Sequence, residues 1–283
     1  MEATGSTHPI VVEGRGLHTG SWARVTLCPA AGPVRLSVGA SEARIDELLL
    51  AGTAWATTVR FAATHAPGLG GDHARSNFAV GTVEHLFAAL GGLGVREGVA
   101  VRVEGPELPL LDGGAAKWCE LLARLALRPQ PPRLRVARDA VVQVDASRYE
   151  FGVAEEVDVQ VRFEANDPRV TPEARWLGDP ADFRARIAPA RTFAFFGDLP
   201  RLALGGLARG VDPEAVVLLA PEAVHCVAPY SADEPARHKL LDLVGDSYFW
   251  GGPPIGRMRA LRPGHSANAR ALRQARAEGI LVS

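Results

Sequence analysis

His238, Asp242 and Asp246 are spaced four residues apart in Arg237-His238-Lys239-Leu240-Leu241-Asp242-Leu243-Val244-Gly245-Asp246, so on a helix they form one stripe. Leu240, Leu241, Leu243 and Val244 take the remaining directions and can pack inward. A neutral imidazole one turn from a carboxylate can chelate a divalent ion such as zinc. The same spacing also describes a solvated polar face, and spacing alone leaves both readings open. A His-x3-Asp pair offers two ligands, whereas catalytic zinc normally takes three from the protein. A third ligand must come from elsewhere.

Eight histidines, at positions 8, 18, 65, 73, 85, 225, 238 and 265, are available. His85 stands out because Glu84 precedes it at the predicted start of a helix. The positive helix end disfavours imidazolium and keeps the ring able to ligate. A carboxylate next to a ligand can act as general base toward a bound water; such a pair is equally an ordinary polar first turn. His265 follows Pro263-Gly264 on a turn, where it can point into a cleft or be a plain loop histidine. Arg191-Thr192-Phe193 follows a predicted strand end at residues 187–190. A buried Thr192 hydroxyl there can donate to a developing oxyanion, or simply end a strand.

The elements that must position these groups follow from periodicity. Residues 9–13 and 23–28 read as strands joined by the connector Gly14-Arg15-Gly16-Leu17-His18-Thr19-Gly20, which lacks the helix and spacing of a phosphate-binding loop. Further strand pattern lies at 34–39 and 42–46, then a Gly- and His-bearing loop at 63–77. Thr82 is the predicted N-cap of a helix with apolar residues at 83, 86, 87 and 90. A strand at 99–103 and a helix at 115–127 follow. Arg128-Pro129-Gln130-Pro131-Pro132 is the best linker. Strands at about 133–143, 149–153 and 157–164 then precede helices near 237–250 and 266–277. Two α+β layers, divided at about residue 130, are expected rather than a doubly wound parallel sheet. There is no strong residue-level repeat.

The 283 residues, 47% hydrophobic and 22% charged, are those of a folded globular chain. With 31 basic and 32 acidic residues there is no global positive field to bind nucleic acid. No apolar run approaches the ~18 residues of a membrane span. Three well-separated cysteines, 28, 119 and 226, form neither a disulfide framework nor a CxxC site, and no signal peptide is evident. A reducing, cytoplasmic setting is the simplest expectation. Nothing suggests an obligate interface, so a monomer is expected.

Taken in order, Gly16-Leu17-His18-Thr19-Gly20, Thr82-Val83-Glu84-His85-Leu86, Leu110-Leu111-Asp112-Gly113, Ala190-Arg191-Thr192-Phe193, His238 to Asp246 and Gly264-His265 span nearly the whole chain. Together they resemble the UDP-3-O-acyl-N-acetylglucosamine deacetylases, zinc amidases of lipid A biosynthesis. The resemblance implies an α+β fold of two domains, residues 1–130 and 131–283. Each would layer a small sheet against two helices, and the two together would make a β-α-α-β sandwich with the helices of both packed between two sheets. Each would carry an insert, a small sheet near 40–77 and a βαβ acyl passage near 194–220. It further implies His85, His238 and Asp242 as ligands of Zn2+, with Fe2+ suited to the same set. Glu84 would be the base, His265 the acid held by Asp246, and Thr192 an oxyanion donor. Lys239, one of two lysines, would assist with substrate charge. Leu17, His18, Phe193 and Gly206 would meet the acylated UDP-amino sugar.

The chain departs from the family pattern in places. It has Arg96-Glu97 for Asp-Asn, Arg209 to Ala215 for Gly-Gly-Ser-x-x-Asn-Ala, Gly113-Gly114-Ala115 for Gly-Ser-Ala, and Asp158 for a basic residue. A relative acting on another N-acetylated sugar or small amide, and a non-catalytic sugar-nucleotide binder, are the other readings.

Overall fold

The computed structural model describes residues 8–62 and 79–283; the loop at 63–77, with His65 and His73, lies outside them. The first half holds β1 (Ile10–Arg15), β2 (Trp22–Pro33), β3 (Arg35–Val38), β4 (Ser41–Arg44), β5 (Leu49–Gly52), β6 (Thr58–Arg60), β7 (Ala79–Val80), α1 (Glu84–Gly92), β8 (Glu97–Glu104) and α2 (Ala116–Ala123). Five strands form a sheet ordered β1-β2-β8-β3-β4, and β5-β6-β7 form a separate small sheet. The strand at 41–44 therefore belongs to the large sheet, and the small one starts at Leu49.

The second half holds β9 (Arg135–Val136), β10 (Ala140–Val144), β11 (Ser147–Gly152), β12 (Val157–Arg162), β13 (Glu173–Trp176), α3 (Pro180–Asp182, continuing as a π turn to Ile187), β14 (Thr192–Phe195), α4 (Leu199–Leu204), β15 (Val216–Leu219), β16 (Val224–His225), α5 (Glu234–Tyr248), β17 (Gly256–Leu261), α6 (His265–Ala277) and β18 (Leu281–Val282). Its five-stranded sheet is ordered β10-β11-β17-β12-β13. β14 and β15 pair in parallel across α4, a βαβ unit, and β16 adds an antiparallel edge.

The two large sheets share one topology. In each, the strand after a buried helix (β8 or β17) enters the centre, antiparallel to one neighbour and parallel to the other. The duplication lies in topology, where no residue-level repeat was evident, because a sheet constrains apolar alternation rather than identity. The molecule is an α+β sandwich whose layers meet through α1 and α5.

Three expectations need correction. Residues 133–143 do not form one strand: β9 pairs with the C-terminal β18, and β10 joins the large sheet. The helix read over 115–127 ends at Ala123, where the chain turns through Ala126 at φ 48°. Thr82 does not cap α1. It sits at φ 56°, its hydroxyl donates to Glu107, and Val83 precedes the helix.

The α1–α5 contact explains Gly245. A Cβ there would lie 2.1 Å from the Glu84 carbonyl oxygen, so only glycine lets the two site-bearing helices approach this closely. Gly245→Ala is expected to destabilise the protein by about 1–3 kcal/mol in denaturant unfolding. Unchanged stability would mean that the helices separate freely. Among the described residues no helix is long and apolar enough to cross a membrane.

Candidate active site

Each side chain of the cluster is placed by a helix end or a helix face. Glu84 and His85 open α1, His238, Lys239, Asp242 and Asp246 share one stripe of α5, and His265 opens α6. Glu84, His85, His238, Asp242, Asp246 and His265 are all buried.

One ligand atom from each of His85, His238 and Asp242 lies within 4.8 Å of the others. The Nδ1 of His238 is 3.0 Å from the Ala190 carbonyl oxygen. As donor there it fixes the tautomer and leaves the Nε2 lone pair free, 3.5 Å from Asp242 Oδ1. That oxygen is buried without a hydrogen-bond partner, while Oδ2 accepts from Lys239 Nζ at 3.0 Å. Buried polar atoms are normally satisfied. Two imidazoles and a carboxylate oxygen converging without donors suit a borderline divalent cation. Burial, reinforced by His238, lowers the His85 pKa to about 3, and burial also lowers that of His238. Burial would raise Asp242, yet His238 and Lys239 outweigh it and hold the carboxyl well below its usual range. The three are therefore deprotonated at neutral pH, as ligands must be.

Glu84 and His265 stand beside this triad with opposite perturbations. Burial pushes Glu84 up to about 7, helped by Asp242 and Asp246 and opposed by His265. Burial would lower His265, but the carboxylates of Asp246, Asp242 and Glu84 outweigh it and raise it to about 10. His265 Nδ1 is 3.0 Å from Asp246 Oδ2, so its Nε2 faces the cluster, 3.9 Å from Glu84 Oε1. Neighbouring groups pushed apart in this way divide into a base and an acid.

Several supporting residues carried no local sequence signal. Thr57 donates its backbone N–H to Glu84 Oε2 at 2.9 Å and its hydroxyl to Asp246 Oδ1 at 2.6 Å. Asn268 Nδ2 donates to Asp246 Oδ2 at 2.7 Å, and the buried Tyr149 hydroxyl donates to Asn268 Oδ1 at 2.6 Å. Glu107 accepts from the backbone N–H groups of His18 and Thr19 and from the Thr82 hydroxyl, tying the β1–β2 loop to the start of α1. Of these, only Asn268 had a findable signal, three residues beyond His265 on the same helix face.

A cleft of about 520 Å³ opens over the cluster. Leu17, His18, Thr192, Phe193 and Lys239 line it, whereas Gly206 does not. Phe163, Phe193 and Phe195 make an aromatic wall, with Trp55 also in the lining. Thr192 opens β14 rather than following a strand; the π turn ends at Ile187, and no strand covers residues 187–190. Its hydroxyl donates to the Gly113 carbonyl at 2.9 Å. Asp158 is outside the cleft, held by two bonds from Arg175.

Comparison with known proteins places the chain among one group of enzymes. The UDP-3-O-acyl-N-acetylglucosamine deacetylase of Myxococcus xanthus (strain DK1622) is 33% identical over 271 residues, covering 93% of this chain and 82% of that protein. The namesake enzyme of Thermosynechococcus vestitus is 34% identical over 269 residues, with 93% and 91% covered. That of Phenylobacterium zucineum is 34% identical over 272 residues, with 92% and 88% covered. The pattern of the UDP-3-O-acyl N-acetylglycosamine deacetylases matches residues 5–276, which takes in both sheets, α1, α5 and all six buried side chains of the cluster. By that near-complete match, the chain belongs to the UDP-3-O-acyl N-acetylglycosamine deacetylase family.

Proposed function

We propose that the protein is a metal-dependent amidohydrolase that removes the N-acetyl group of UDP-3-O-acyl-N-acetylglucosamine in lipid A synthesis. The reading rests above all on the convergence of His85, His238 and Asp242 beside a base and an acid. His85, His238 and Asp242 would hold a divalent cation, zinc or ferrous iron, which would lower the pKa of water and polarise the amide carbonyl.

The chain's own groups carry the protons. Thr57 occupies Glu84 Oε2, which leaves Oε1 to take a proton from the attacking water. The water oxygen bonds to the carbonyl carbon and the C–N bond breaks. The amine takes its proton from His265 Nε2, which Asp246 has aimed inward through Nδ1. Acetate and a free sugar amine leave. The proton on Glu84 then has a 3.9 Å path back to His265, restoring both groups. Thr192 reaches the oxyanion by turning its hydroxyl away from Gly113. Lys239 sits over Phe193, 5.4 Å from the ring centroid, and adds positive charge at the wall of the cleft. The aromatic wall receives the acyl chain.

A second reading keeps the reaction and changes the sugar. Glu164, Asp167 and Asp198 line the same cleft; Arg262 and Arg169 pair with the first two, and the Asp198 carboxylate would repel a diphosphate. Acetate release measured on a panel of acetylated sugars with zinc present separates the two. Turnover of the acylated UDP substrate is expected, and turnover of another acetamido sugar alone would select the second reading. Binding without turnover of any panel member would reject both.

A further inference from the structure

A second groove, of about 720 Å³, shares no lining residue with the cleft. It lies by the C-terminal end of α5, at Tyr248 to Gly251, ten residues beyond His238 or about 15 Å along the helix. Arg60, Arg96, Arg133, Arg273 and Arg276 line it. Among the described residues its one side-chain carboxylate is Asp46, which Arg44 already holds at 2.6 and 2.9 Å. Ser283 also lines it, and even with a carboxylate counted there the groove keeps a surplus of three positive charges. The chain as a whole has a net charge of −1, so this concentration is local.

The guanidinium groups are poorly compensated. Arg96 is buried, gives its donors to the carbonyls of Pro131 and Gly252, and stacks on Tyr248 with no carboxylate partner among the described residues. Arg133 reaches one carboxylate, Glu97, at 3.3 Å. Arg276 donates to the Trp250 carbonyl and lies over its ring. Arg60 and Arg273 have no carboxylate partner among the described residues. Burial lowers the Arg96 pKa, Tyr248 opposes it, and the nearby Arg133 adds a smaller lowering, so like charges stand close together here. Such an arrangement is relieved by an anion, and planar guanidinium forks match phosphate oxygens.

We propose that this groove is a binding site for a phosphate-bearing anion, separate from the deacetylase cleft. Free phosphate compounds and the headgroups of acidic phospholipids share that chemistry. The test titrates the full chain with inorganic phosphate by calorimetry at low ionic strength. A parallel arm sediments it with vesicles of one part phosphatidylglycerol to three parts phosphatidylcholine. The variant Arg60→Ala/Arg273→Ala removes two exposed arginines, and Arg273→Glu reverses one charge. Binding in either arm is expected to weaken at least roughly tenfold in the double variant and further with added salt. His265→Ala should leave it unchanged, and the double variant should keep its deacetylase activity. Binding to phosphate names a free compound as the source; binding to vesicles alone names a headgroup. No binding in either arm, binding indifferent to both arginine variants, or binding lost in His265→Ala instead would overturn the proposal.

Discussion

Replacing His265 by alanine should lower kcat by roughly 10²–10⁴, the usual worth of a positioned general acid. It should also change the pH profile in a way that mere damage would not. In the native enzyme, activity rises as Glu84 loses its proton, at or below about 7. It falls as His265 loses its own, at or below about 10. A cation held beside both groups disfavours their protonated forms, which moves the two limbs down together. Without the imidazolium the alkaline limb disappears. The acid limb moves up, because His265 is the charge that lowers Glu84. Glu84→Gln should cost a similar factor and remove the acid limb instead. The measurement is kcat/KM across pH 5 to 10 for the three proteins, and a profile that both substitutions leave intact would reject this pair of roles.

Asp242→Asn should abolish tight metal binding and, with it, nearly all turnover. The variant keeps the shape of the side chain and removes its charge, leaving two neutral imidazoles. Since Asp242 Oδ1 has no hydrogen-bond partner and is buried, losing the charge does not strip a donor of its acceptor there. At Oδ2, however, the variant loses the charged acceptor of Lys239 Nζ, so the metal-free variant should be less stable than the metal-free native chain. Added zinc should raise the melting temperature of the native protein by mass action and leave the variant's unmoved. Elemental analysis after dialysis gives the second readout. A variant that retains one zinc per chain would place the ion somewhere other than among His85, His238 and Asp242.

The two experiments probe different links. The first concerns how protons move once substrate is bound. The second concerns whether the convergence of three side chains is a cation site at all. A chain that binds metal but shows no acid limb would keep the site and lose the proposed base.

The chemistry-bearing residues were readable in the chain because a helix converts spacing into direction. His238, Asp242 and Asp246 fall on one stripe of α5 whatever surrounds them, and His85 sits in a helical first turn; His265, read as a turn residue, instead opens α6. The order of short motifs added the family. Strand boundaries were less readable where pairing is remote: β9 exists because β18, at the other end of the chain, lies beside it. Thr82 looked like a cap because its residue type suits one. Its hydroxyl instead went to Glu107, a buried acceptor 25 residues away.

Asn268 apart, the supporting shell was not readable. Thr57 holds Glu84 from 27 positions away and Asp246 from 189, and Tyr149 reaches Asn268 across 119. The arginine groove likewise gathers residues from both halves. Local order along the chain specified which side chains have the right chemistry and the right helical face, since those depend on covalent geometry over a few residues. Packing alone determined that α1, α5 and α6 present them to one point and strip them of water, because burial and Coulombic coupling depend on distances in space that no local pattern encodes.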